Sequence, residues 1–495
     1  MTSSKRAVQI LAGNFGRLWK RGHESFPSDS RRIISVKGKN ATAYLQGLVT
    51  CDLTQLPTPP REEEQPNVGN VTGKCNEDSS GATIDVNVDG VEFSDHLRAT
   101  CFLDNKGRIL TDSLLWKVDE TQYYIDVPAN SAEILLGHLN QFILRRTKVK
   151  VKDETERSGM ASHVVFGTLN SANTPNGFLA AVDPRHPSLG MRVLSLDSQK
   201  GQEFTQMMSR QFPDCSGTYN LIRKLAGVPE GAEIKGKVAA ETNQEFLNAV
   251  SFQKGCYLGQ ELTARVQFTG AVRKRIMPLM ITNVNMQVPR PWLIASQIQK
   301  QQFQQQQQQQ QESVVDPKDA TNDTSVEDIV NGSEMSPLPR LSPSIAASMI
   351  ATLSGSTAIE EGVEEDTSTE FNSNNDELQA QMEALFDELQ TSYKVGDKIF
   401  DTRDGKTIGQ IVALPEEGTN VLLAQVRLDK VGLMKPPSSK KKREESESVN
   451  NDGWNYNNKI SIGESNASNP LRFFPYLPLW WPSLNPENGK AKEEQ

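Results

Sequence analysis

The chain has 495 residues, of which 36% are hydrophobic, a mean hydropathy of −0.52 and a formal net charge of −9. That length allows two or three domains, and the low hydropathy implies a folded body diluted by polar segments. Five cysteines (Cys51, Cys75, Cys101, Cys215, Cys256) with no CxxC spacing argue against a disulfide framework, five histidines in no HxH or HxxxH pattern argue against a self-contained zinc site, and no apolar run reaches the ~20 residues a spanning helix needs.

Residues 1–30 read as a targeting presequence. Met1 to His23 contains no acid, while Lys5, Arg6, Arg17, Lys20 and Arg21 are basic, and Val8, Leu11, Phe15 and Leu18 recur at helical steps. The pattern suits a mitochondrial presequence or a plastid one alike. "RIISVKGKNATAYLQGLVTCDL" opens as a strand, turns at Lys37-Gly38-Lys39 and continues as a short helix, Ala41 to Leu48, with Ala43, Tyr44 and Leu48 predicted inward. Residues 58–94, with "PPREEEQPNVGN" and a Gly/Asp/Asn-rich run, read as a long loop. "ATCFLDNKGRILTDSLLWKV" reads as a hairpin turning at Asp-Asn-Lys-Gly, and "QYYIDVP" continues the meander. The next segment is predicted helical, with Ile134, Leu135, His138, Leu139 and Phe142 on one face, and leads into a strand.

Strands follow in "SGMASHVVFGTL" and "DPRHPSLGMRVLSL", then a helix in "GTYNLIRKLAGVPE". Helices on one face of an antiparallel sheet make the fold class α+β over 31–270. Segments 271–296 and 391–434 read as one β-barrel, starting at "RKRIMPLMI" and turning at Asp404-Gly405, with the intervening stretch in a hairpin loop of that barrel. That stretch, 297–390, begins with a glutamine tract and continues acidic; it reads as a disordered insertion closed by a short helix, "DELQAQMEALFDELQ", docked on the barrel. Residues 435–468 read as a second disordered loop, and the aromatic tail 469–484, "FFPYLPLWWP" within it, as packed on the body.

Glu312 to Gln390 carries a net −16, so the remainder of the chain stands at +7. This permits an anionic ligand or partner without implying direct nucleic-acid binding.

The stretch with most chemistry is "KGCYLGQELTAR", Lys254 to Arg265. Lys254 would favour the Cys256 thiolate if it lies beside it, the glycines permit a tight exposed turn, and Gln260, Glu261 and Arg265 could bracket the loop. One thiolate cannot hold a cluster that usually takes four, so a functional Cys256 implies shared ligation with a partner, or a redox or persulfide role; a packed structural cysteine is the alternative.

This stretch resembles the signature of the YgfZ-type proteins, folate-binding relatives of the glycine-cleavage T-protein. "ISVKGKNATAYLQGLVTCDL", "CFLDNKGRILTDSLL", "VDPRHPSLGMR", "GVPEGAEIKGK", "GQIVAL" and "RFFPYLPLWWP" resemble further blocks, over roughly 32–280 and 393–482. The resemblance implies T-protein-like folate-binding subdomains around a central channel, followed by a C-terminal β-barrel. It implies an assembly factor rather than an enzyme, serving 4Fe–4S proteins of the aconitase and lipoyl synthase type. A-type iron-sulfur scaffold proteins would be the partners, tetrahydrofolate the ligand and a transient iron-sulfur cluster the shared cargo. Cys256 is then the candidate functional thiol, with Asp112, Lys254, Tyr257, Gln260, Glu261 and Arg265 around the ligand. Alternatives are a folate-dependent aminomethyltransferase and a tRNA-modification accessory protein. The T-protein has paired acids where this chain has Thr111-Asp112, and no cysteine at the position of Cys256. Cys51 and Gln267 depart from the assembly-factor blocks, where Asn and His are usual.

Overall fold

The computed structural model describes residues 22–54, 94–166, 175–211, 217–284, 338–343, 346–347, 380, 384–416, 419–435, 459–464 and 470–492. The presequence pattern before residue 22, nearly all of the 58–94 loop, the glutamine tract, Cys75 and Cys215 lie outside them.

Two antiparallel sheets and a closed barrel share the apolar residues. The first sheet contains β2 (Arg31–Gly38), β3 (Leu97–Leu103), β4 (Ile109–Asp119), β5 (Gln122–Pro128) and β6 (Val149–Asp153), in the order β3-β4-β5-β2-β6. Its β3–β4 hairpin pairs Cys101 with Asp112 and Leu97 with Trp116, as the Asp-Asn-Lys-Gly turn leads one to expect. Helices α1 (Ala41–Gln46) and α2 (Ala129–Gln141) cover one face: Ala41, Tyr44, Leu45, Leu135 and Leu139 pack with Ile34, Val36, Phe102, Leu115 and Ile125. Two inward assignments fail. Ala43 and Ile134 point to solvent, because the sheet meets each helix one position away, at Tyr44 and Leu135.

The second sheet is β1 (Gly22–Ser25), β7 (Ala161–Phe166), β9 (Met191–Ser195) and β8 (Phe178–Val182), ordered β1-β7-β9-β8. Residues 22–30, placed in the presequence by the sequence reading, therefore belong to the fold: β1 runs antiparallel to β7, and Phe26 is buried against Tyr219. Helix α3 (Glu154–Ser158) links the two sheets, α4 (Ser198–Gln211) packs Phe204 onto the second, and α5 (Thr218–Leu225) is almost wholly buried.

The barrel closes in the order β10-β14-β13-β12-β15-β16, from β10 (Lys274–Asn283), β12 (Lys398–Asp401), β13 (Thr407–Ala413), β14 (Val421–Arg427), β15 (Lys459–Ile462) and β16 (Leu471–Pro475). This corrects four boundaries. Strand β15 lies inside 435–468, the range read as a disordered loop, with Ile460 and Ile462 in the core. The aromatic tail is more than a cover, since Leu471–Pro475 pairs with β10 and completes the barrel. The insertion does not occupy a hairpin loop, because β10 and β12 are not neighbours. Nor is 297–390 uniformly unfolded. β11 (Arg340–Leu341) runs parallel to β17 (Leu477–Pro478), and Leu338, Leu341, Ala346 and Ala347 are buried. Residues 384–391 are helical, and Leu385, Phe386 and Leu389 join the barrel core.

Candidate functional site

Residues 251–259 form a loop without regular structure, docked on the segment that leaves α1. Its register comes from the backbone: Ser251 N donates to Thr50 O and Leu258 N to Gly47 O, each at 3.0 Å. Lys254 locks it. Its buried ammonium donates to Gln46 O at 2.8 Å, Val49 O at 2.6 Å and Cys51 O at 2.9 Å, which uses all three protons. It also stands 4.9 Å from the Tyr257 ring centroid. Burial lowers the Lys254 pKa to about 8, against the opposing pull of Cys51 and Asp52.

Lys254 is therefore a clamp on backbone carbonyls, and its three bonds go to Gln46, Val49 and Cys51 rather than to the Cys256 sulfur, so the condition set in the sequence reading, that the ammonium serve the thiolate, is not met by a hydrogen bond. Cys256 itself is exposed and free; Cys51 and Cys101, also free, are buried, and burial raises the pKa of both thiols. Among the described residues Cys256 is thus the cysteine a second molecule can reach. Tyr257 turns inward, and burial raises its phenol to about 12.

Helix α6 (Gln260–Phe268) starts at Gly259, whose φ of 78° is left-handed. Gly259 packs on the turn at Asp104 to Gly107, so two turns that each require a glycine meet here. Glu261 and Arg265 face solvent and Gln260 is half-buried; among the described residues no side-chain hydrogen bond joins these three, so the expected bracket is not formed. The clamp is made by Lys254 instead.

Asp112 lies elsewhere, on the face of the first sheet opposite α1 and α2. It is buried and accepts from Gly231 N at 2.8 Å, holding the loop after α5. It sits within strand β4, so it does not cap a strand end. Burial, then the neighbouring Glu230 charge, raises its carboxyl to about 6. Trp116, on the same face by strand alternation, is 1% exposed, and its Nε1–H has no hydrogen-bond partner. The six residues expected around a folate thus divide. Asp112 faces the interior; Lys254 and Tyr257 are spent on the loop; Gln260, Glu261 and Arg265 lie on α6. They do not form one cradle.

Sequence reasoning missed the buried charge cluster beside Asp112. Glu230 meets Arg185 at 2.5 Å, Arg31 at 3.4 Å, and Arg192 and Arg223 at 3.9 Å each, and accepts from the Tyr219 hydroxyl. Arg185 and Arg192 also pair with Asp183, Arg31 with Asp126 and Arg223 with Glu233. Burial pushes the Glu230 carboxyl up, but Arg185, Arg31, Arg223 and Arg192 outweigh it and hold it well below the usual range. The available signal was charge within turn-rich blocks, Asp183, Arg185 and Arg192 in "DPRHPSLGMR" and Glu230 in "GVPEG".

No family model matches the chain. It is similar to proteins named "Iron-sulfur cluster assembly factor IBA57 homolog, mitochondrial". The one from Coccidioides immitis is 29% identical over 279 residues, covering 53% of this chain and 58% of the relative. The one from Dictyostelium discoideum is 27% identical over 288 residues, covering 52% and 62%. The one from Pyricularia oryzae is 32% identical over 263 residues, covering 51% and 56%. Among solved structures, the glycine cleavage system aminomethyltransferase T from Bartonella henselae aligns with 98% of this chain and 91% of its own, with a TM-score of 0.49 and 9% identity. The chain spans little more than half the length of the relatives it matches. Over about half of its own length it is similar to proteins named as mitochondrial iron-sulfur cluster assembly factors.

Proposed function

We propose that the chain is a mitochondrial assembly factor for 4Fe–4S proteins, and that Cys256 lends its thiolate to a cluster in transit. The observation that carries this reading is the exposure of Cys256 on a loop pinned from within by Lys254. A sulfur held out on a fixed backbone can meet a partner's cluster without first unfolding its surroundings. Iron-sulfur clusters usually take four protein thiolates, and Cys256 supplies one. The other ligands come from a partner, and A-type scaffold proteins are the proposed donors. The names of the similar proteins support the process and the compartment, with the matrix as the proposed site.

Tetrahydrofolate is proposed as a ligand of the interior face alone. Asp112 offers a carboxyl near neutral titration and Trp116 an unused N–H donor there, which suits a flat heteroaromatic group bearing both donors and acceptors. The α6 residues are not part of that proposal.

The test is rescue. Cells lacking their own such factor receive wild type or Cys256→Ser at matched protein levels, and aconitase activity and protein lipoylation are read. Rescue by wild type alone supports the thiol role. Rescue by both keeps the assembly role and removes Cys256 from it. Failure of both removes the assignment, and glycine-cleavage turnover becomes the assay to run.

A further inference from the structure

The edge of the first sheet carries a second surface, separate from Cys256. Strand β6 ends the strand order β3-β4-β5-β2-β6, so among the described residues one of its sides has no neighbouring strand. From Arg145 to Lys152 there are five cations and no acid. Arg145, Arg146, Lys148, Lys150 and Lys152 are all exposed, and among the described residues no acidic side chain pairs with any of them. Val149 and Val151 turn the opposite way, into the core under α2.

Three features make this more than a solvated face. Lys150 lies directly across from Lys37 in the β2–β6 register; Lys37 is answered by Glu154 at 3.7 Å, whereas no acidic side chain among the described residues answers Lys150. Lys148 has a φ of 50°, a left-handed value that Gly or Asn would adopt at less cost. Leu144, 50% exposed, adds an apolar contact at the head of the same patch. Unanswered positive charge and a left-handed backbone thus meet at this edge.

We propose that β6 is a docking edge for an extended acidic segment of a partner protein, which adds to the sheet as a sixth strand. An edge strand offers both N–H and C=O groups, and only another polypeptide backbone answers both; a phosphate-rich polymer or a lipid surface answers the cations alone. Successive outward lysines stand about 6.7 Å apart, the repeat of alternate residues in an added strand, so acids at every second position would meet them. Edge lysines also keep identical edges apart by mutual repulsion. An acidic strand cancels that repulsion, so the same residues exclude self-association and select the partner.

The experiment uses the full chain and a fluorescein-labelled peptide about ten residues long, alternating Glu and Val. Two controls are a peptide of equal charge interrupted by prolines, and vesicles containing anionic phospholipid. Anisotropy gives affinity, and hydrogen exchange reads the amides of 148–153. The alternating peptide should bind, protect those amides and weaken as salt rises. The K148Q/K150Q/K152Q variant should weaken binding by roughly tenfold or more, about 0.5 kcal/mol for each lost pair. If that variant's melting temperature falls, R145Q/R146Q, in the preceding turn, replaces it and should weaken binding severalfold. Equal affinity for the proline peptide, unprotected β6 amides, or binding of vesicles but not peptide overturns the proposal. So does a free chain in which every β6 amide is already protected, beyond the alternate ones that bond β2, and which takes up no peptide, because its edge is then filled from within.

Discussion

Gly107 and Gly259 lie back to back, and neither tolerates a side chain. A Cβ on Gly107 would come within 2.7 Å of the Gly259 carbonyl oxygen, and one on Gly259 within 3.0 Å of the Gly107 Cα and 2.6 Å of Asp104 O. Both residues have left-handed φ, 77° and 78°. The contact joins the tip of the β3–β4 hairpin to the start of α6 and so sets where the Cys256 loop ends.

Gly259→Ala should therefore destabilise the fold by about 2 kcal/mol or more, about 1 from the left-handed backbone and the rest from the backbone clash. Gly107→Ala should cost a similar amount. Denaturant unfolding of the two single variants and the double variant checks this, and the double should lose less than the sum because both changes break one contact.

Lys254→Met should cost on the order of 2–4 kcal/mol, since it leaves the carbonyls of Gln46, Val49 and Cys51 without their donor. Cys256→Ala, at an exposed position, should stay within about 0.5 kcal/mol. Comparing the two by thermal unfolding separates a loop clamp from a thiol that packing does not require. Equal losses would place Cys256 in the packing.

Asp112 predicts a pH dependence of known sign. Its folded pKa of about 6 lies above the ordinary carboxylate value, so its contribution is fully present below about pH 4 and is lost as pH rises through 6. Asp112→Asn keeps an acceptor for Gly231 N without that charge. The variant should gain on wild type by about 1–3 kcal/mol between pH 4 and 7. Urea titrations at the two pH values check it, and a constant difference would mean that Asp112 does not titrate in this window.

Glu230→Gln should be the most damaging single change of this set, costing about 3–5 kcal/mol, because it leaves four buried guanidinium groups with one carboxylate fewer. Far-UV and near-UV circular dichroism with thermal melting give the readout. A loss below about 1 kcal/mol would show that Asp126, Asp183 and Glu233 suffice without it.

The parts legible in the sequence share one property: the signal lies among neighbouring residues. The β3–β4 hairpin was readable because two apolar runs flank an Asp-Asn-Lys-Gly turn, and β10 because an apolar run follows the basic Arg273-Lys274-Arg275. Four-residue β15 and two-residue β11 were not, because each sits in polar sequence and exists only by pairing with strands supplied from elsewhere. Cys256 stood out through its local setting, whereas the cause of its exposure did not.

By itself, the sequence determined the α+β pattern, the polar character of the insertion, and the turn that presents Cys256. Tertiary structure alone decided which charges have partners. Lys254 finds its three carbonyls more than 200 positions away, and Glu230 gathers arginines from β2, β9, α5 and the loop before β9. Turn and strand preferences arise from a residue's own torsions and its neighbours. The partners of a buried charge are set by which distant segments the collapsed chain brings within a few ångströms, and no local pattern encodes that.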